Sequence, residues 1–111
     1  MTNRVLVIQD NHTQVHEIDE FMAVRSLKAE YCYSRSEALQ AIKLNRYRCV
    51  VVSTDMLRED PIDIIDALRH AEAESGISST QIIVAGKLER LTQSQITHFG
   101  ISGRIRSHHL K

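Results

Sequence analysis

Residues 49–61 read CVVVSTDMLREDP, and the change of character inside that stretch decides the fold. CVVVS, residues 49–53, is a short β-branched run, the pattern of a strand buried on both faces in the middle of a parallel sheet. STDMLREDP is a polar, acid-bearing loop that closes on Pro61, and a helical pattern begins behind that proline. In an open α/β sheet the loop leaving the carboxyl end of a central strand is where ligands and chemistry collect, which directs attention to Ser53, Thr54 and Asp55.

Working outward, RVLVI (residues 4–8) and QIIVA (residues 81–85) repeat the buried-strand pattern. QDN follows the first of these, with Asn11 as the expected helix cap, and Val15, Ile18, Phe21 and Met22 recur at helical spacing to about Arg25. LKAEYCYS contains a more polar strand centred on residues 30–33, which suits a sheet edge. Ser34 and Glu37 have capping-box spacing ahead of Ala38, Leu39 and Ile42. After Pro61, the residues Ile64, Ile65, Leu68 and Ala71 describe a helix that fades toward Gly76. Ile96 and Phe99 mark a short helix stopping at Gly100, and GRIR, residues 103–106, is the expected last strand. Strand and helix alternate, with each crossover long enough for one helix, so the expectation is an α/β domain with about five parallel strands covered on both faces. The pattern leaves strand order open.

At 111 residues the chain has the length of one domain, 1–111. Lys plus Arg and Asp plus Glu number 14 each, so the formal net charge is zero and the overall basic excess of a nucleic-acid binder is missing. No apolar run approaches a membrane span, and the amino terminus lacks the charged-then-apolar order of a signal peptide, so a cytoplasmic protein without a membrane partner is expected. Cys32 and Cys49 fall in predicted strands without CxxC spacing and read as buried, reduced thiols.

Taken together, the order of strands, helices and turns resembles the receiver domain of bacterial two-component response regulators, the chemotaxis-regulator fold. The most specific matches are PIDIIDALR, similar to the family's GLELLKxLR helix, and FGISGRI, similar to its GAxGYL turn into the fifth strand. The resemblance implies a flavodoxin-like parallel sheet in the order 2-1-3-4-5, with the first helix on one face and the next three on the other. It also implies a five-residue chemical site at the carboxyl edge. The family's acidic, metal-holding pair corresponds to Gln9 and Asp10. Its phosphoacceptor aspartate, eight residues before the start of helix three, corresponds to Ser53. Its hydroxyl residue after strand four corresponds to Gly86, its lysine after strand five to Ser107, and its aromatic switch residue to Arg104.

Four of the five chemical positions are changed. Asp10 alone is a poor start for a magnesium ion, which takes several hard oxygen ligands. A serine at 53 forms no acyl phosphate, and Gly86 and Ser107 offer neither the hydroxyl nor the ammonium that would hold phosphoryl oxygens. The resulting expectation is a pseudo-receiver: not an enzyme, without a cofactor, acting through a signalling kinase, regulator or output domain, or as a homodimer. Lys87, Arg104 and Arg106 are the expected contact residues, on the side where receivers dock partners. The alternatives are phosphorylation on Asp55, two residues beyond the expected position, and a small-ligand sensor using the altered pocket. His12 with His16, and His108 with His109, have spacings that allow metal binding but supply no third ligand, so solvated histidines are expected. Receivers carry a fifth helix after strand five, whereas this sequence ends at SHHLK. Apolar residues on the first-helix face are therefore expected to lie uncovered, to be buried by a following domain or a second copy.

Overall fold

A computed structural model of the chain describes residues 3–9, 15–53, 60–76, 80–85 and 92–105. Strands and helices alternate through them: β1 (Arg4–Ile8), α1 (Val15–Val24), β2 (Lys28–Cys32), α2 (Arg35–Leu44), β3 (Cys49–Ser53), α3 (Pro61–Ser75), β4 (Gln81–Ala85), α4 (Gln93–Phe99) and β5 (Ile101–Ile105). The sheet is parallel throughout, in the order β2-β1-β3-β4-β5. This is the five-stranded arrangement and strand order that the resemblance implies.

Alternation along the strands divides the core in two. Leu6, Ile8, Val50, Val52, Ile82 and Val84 pack with Ala38, Ile64, Ile65 and Leu68 on the α2–α3 side, where α4 adds Ile96 and Phe99. Val5, Val7, Cys49, Val51 and Ala85 pack with Ile18 and Met22 of α1 on the other. Burying each aliphatic side chain contributes about 1.5–3 kcal/mol, so a helix layer is required on both faces. The expected exposure of several apolar strand residues on the α1 face is not seen among the side chains described, which do not include that of Ile105 in β5. Val51 and Ala85 are fully buried, Ile83 is half-buried, and the exposed position opposite it on β5 is Gly103. Two features account for this: α1 lies close to both edge strands, β2 and β5, and Gly103 places no side chain on that face.

Helix ends explain most boundaries. Asp60 caps α3, its Oδ1 accepting from the Ile62 N–H at 2.9 Å, and Pro61 occupies the first turn where its missing N–H has no cost. At α2 the Ser34 hydroxyl accepts from the Glu37 N–H at 3.2 Å, but the Glu37 carboxylate meets that hydroxyl at 3.3 Å rather than the Ser34 backbone, so only half the expected box forms. A complete box stands at α4, where Thr92 and Gln95 exchange bonds of 3.1 and 2.9 Å. β5 starts two residues earlier than its expected position, directly after Gly100, whose φ of 65° ends α4 in the left-handed region.

One polar cluster ties the β4–β5 half together. Arg69 on α3 donates to the Phe99 carbonyl (2.8 Å), the Gly100 carbonyl (3.2 Å) and the Thr80 carbonyl (2.8 Å), and pairs with Glu72 (3.0 Å). Glu72 in turn accepts the Thr80 N–H at 2.8 Å. A single guanidinium thus satisfies carbonyls left over at the end of α4 and fixes the chain entering β4.

Glu72→Ala, which removes the carboxylate partner of Arg69 and the acceptor of the Thr80 N–H, is expected to cost about 3 kcal/mol in urea unfolding. Glu74→Ala, at an exposed position, is expected to stay within about 0.5 kcal/mol. Burial pushes the Cys32 thiol up to about 12, with Glu37 adding to the shift, and raises that of Cys49 as well. Both cysteines should therefore resist a disulfide reagent at pH 8 in the folded protein and react in urea; rapid labelling of either without denaturant would contradict the burial.

Candidate functional site

Strands β1, β3 and β4 end side by side at the carboxyl edge of the sheet. Ile8 pairs with Val52, and Ser53 pairs with Ala85, so Gln9 and Ala85 flank Ser53 on the adjoining strands. Ser53 is fully buried and Gln9 is 2% exposed. Both are neutral, and both make polar contacts, so neither is an orphaned donor or acceptor. The Gln9 N–H continues the β1–β2 pairing by donating to the Cys32 carbonyl at 3.0 Å. β3 closes at Ser53 and α3 opens at Pro61, so the spacing between the strand end and the helix start is the one inferred from sequence. Asp60, the acid beside Pro61, is used as the helix cap.

The described residues thus bring Gln9 and Ser53 together at the carboxyl edge of the sheet. Asp10, Asp55, Gly86, Lys87, Arg106 and Ser107 lie outside them, as do His12, His108 and His109. Arg104 belongs to β5, where its backbone lies opposite Val84. Among the described residues no group of three His, Cys, Asp or Glu side chains is arranged to hold a metal ion.

A second polar cluster, which the sequence reading did not single out, borders β2. The Glu30 carboxylate ion-pairs with Arg4 and accepts from the Tyr47 hydroxyl at 2.8 Å, and the Arg4 guanidinium lies 5.7 Å from the centre of the Tyr47 ring. The Tyr47 hydroxyl, with Arg4 assisting, holds the Glu30 carboxyl below its ordinary value, while burial and Glu30 push Tyr47 up to about 12. On the opposite face the Tyr31 hydroxyl donates to Asp19 on α1, and burial raises its pKa further. These contacts fasten an edge strand to its neighbours. The signal available in sequence was a lone acid, Glu30, at a strand centre with Arg4 on the neighbouring strand.

The overall arrangement has close structural counterparts. A CheY-like response regulator receiver domain from Methylobacillus flagellatus superimposes with a TM-score of 0.76 at 14% identity, covering 97% of this chain and 88% of that one. The chain has the response-regulator receiver fold. A response regulator signal receiver domain from Bermanella marisrubri matches this receiver-like domain with a TM-score of 0.73 at 16% identity, over 97% of this chain and 88% of that one. The response regulator TrrA from Thermotoga maritima, solved in complex with Mg(2+)-BeF, matches at 0.69 and 14% identity, over 99% and 90%. No protein-family model and no curated protein matches the sequence.

Within this receiver fold, the end of β3 carries a buried hydroxyl between a buried amide and an alanine. An ionised carboxylate placed there loses several kcal/mol of hydration unless it gains partners. Ser53→Asp should therefore be destabilised by about 3 kcal/mol at pH 7, and desolvation should raise the folded-state pKa of the new carboxyl. The sign follows: the variant is nearest to wild type below the unfolded Asp value of about 3.9, and the gap widens as pH rises through the folded value. Ser53→Ala should cost about 1 kcal/mol at either pH. A Ser53→Asp protein as stable at pH 7 as at pH 4, relative to wild type, would mean that cations already line the pocket.

Proposed function

We propose that this chain is a pseudo-receiver, a phosphorylation-independent protein-contact module of bacterial two-component-type signalling. The observation carrying the reading is Ser53, a fully buried hydroxyl at the end of β3 where phosphoryl acceptance on this fold would need an accessible carboxylate. Gln9, also buried and neutral, stands where metal binding would call for an acid. A domain with the receiver architecture but without the acceptor has its surface left as the means of action.

The contact surface in this reading is the α4–β5 side. Helix α4 has no fully buried residue, and Ile96 and Phe99 are its half-buried attachments to the core. The resemblance assigns Lys87, Arg104 and Arg106 to the same contact, and their positive charge suits a kinase, regulator or output-domain surface, or a second copy of the chain. The module catalyses nothing itself and takes no cofactor. A cytoplasmic location accords with the function, and no described helix is long and apolar enough to cross a membrane.

Incubation with acetyl phosphate and magnesium, followed by intact-mass measurement, should show no added phosphoryl group, and beryllofluoride should leave the amide spectrum of residues near Ser53 unchanged. A mass increase that disappears in Asp55→Asn would replace this reading with that of an active receiver using a displaced acceptor.

A further inference from the structure

We propose that the amino-terminal edge of the sheet, at β2, β1 and β3, docks a short acidic segment of a partner protein; the proposal rests on the contact-module reading and assigns that module a second surface. Two connections converge there. Residues 24–28, VRSLK, lead from α1 into β2, and residues 43–48, KLNRYR, lead from α2 into β3. Between them they carry Arg25, Lys28, Lys43, Arg46 and Arg48 and no acid. The same two residues of the incoming chain stitch them together: Lys28 N–H donates to the Asn3 carbonyl at 2.9 Å, and Arg48 N–H donates to the Arg4 carbonyl at 2.8 Å.

All five cations are exposed, and among the described residues none has a carboxylate partner. Arg25 stacks on the Phe21 ring at 3.8 Å and donates to the Phe21 carbonyl, which orients the guanidinium without neutralising it. Arg4, in the middle of the edge, is neutralised by Glu30. The remaining acids nearby are Glu20, which has its own partner, and exposed Glu74 at the end of α3. The chain is neutral overall, so its charge is segregated rather than absent.

Segregation also indicates the class of partner. For an extended polyanion such as duplex DNA or an anionic bilayer, long-range attraction to a molecule of zero net charge is weak. A short acidic segment needs only the five cations of the two connections. The same edge exposes Val24 (75%) and Leu44 (81%), the last residues of α1 and α2, which offer aliphatic contact to a segment carrying apolar side chains between its acids.

The test uses the chain as it stands and a fluorescein-labelled peptide alternating Asp and Glu with Leu, read by anisotropy at about 50 mM and about 300 mM salt, either side of the ionic strength at which surface charges become strongly screened. Wild type should bind and weaken with salt. Arg46→Glu with Arg48→Glu should lose at least about tenfold in affinity, while Arg35→Glu at the opposite end of α2 should stay within about twofold. Unchanged thermal unfolding would show that the variants fold. The proposal is overturned by no binding in wild type, by equal affinities across the variants, or by tighter binding to anionic vesicles or duplex DNA than to the peptide. Phosphoryl uptake at Asp55 would remove the pseudo-receiver reading without moving these affinities, so the two failures are separable.

Discussion

The constraint on which this structure depends is that β1 and β3 are apolar on both faces. Val5 to Ile8 and Cys49 to Val52 are all buried, so neither side of the central sheet tolerates water. A parallel sheet of this kind needs a helix after each strand to return the chain, and right-handed crossovers then place those helices on two sides. Placing α1 on one face and α2, α3 and α4 on the other answers this requirement. The carboxyl edge follows from it as well: because Ile8 and Val52 are buried partners, the residues after them, Gln9 and Ser53, are drawn into the floor of the edge rather than onto the surface.

The two faces are held differently. On the α2–α3 side three helices pack together, and Arg69 fixes the end of α4 and the start of β5 by bonding the Phe99 and Gly100 carbonyls, and the entry to β4 by bonding that of Thr80. On the other side α1 is the helix among the described residues, and it reaches from β2 to β5. Its attachment at the β2 end is reinforced by Tyr31 and Asp19. The turn from α1 into β2 places Ser26 at a φ of 55°, a left-handed conformation costing roughly 1–2 kcal/mol in a residue with a Cβ. That turn is held by the Leu27 N–H bonding back to the Met22 carbonyl at 2.9 Å. Local strain is accepted there because it lets β2 start where Lys28 can pair with Arg4.

The sequence displayed its strongest periodicities where burial is most complete, and those elements were legible: β3 ends at Ser53, α3 begins at Pro61, and α4 stops at Gly100. Less was legible where a boundary depends on tertiary contact. β5 begins at Ile101, directly after the Gly100 cap, where Arg69 bonds the Phe99 and Gly100 carbonyls from about thirty residues away in sequence, a contact that no local pattern encodes. Glu72 falls on the apolar stripe of α3, four residues after Leu68, and reads locally as an error in that stripe; its partner, the Thr80 N–H, becomes visible only in three dimensions. At the candidate site, the identities of Gln9 and Ser53 were readable from spacing, whereas their near-complete burial was not. Residue type decides whether an acyl phosphate can form, but accessibility decides whether a donor can arrive, and accessibility is a property of the packed edge.

The two ends of the sheet therefore differ in kind. At the carboxyl edge the described strand-end side chains Gln9 and Ser53 are neutral and buried. At the amino edge the connections into β2 and β3 carry exposed Lys and Arg side chains that have no carboxylate partner among the described residues. On this fold the proposed contact at the amino edge is separated from Gln9 and Ser53 by the full length of the strands. A contact there needs no signal from the pocket to be competent. The charge of that surface is set by the connections into β2 and β3, and a buried serine at the end of β3 leaves those connections unchanged.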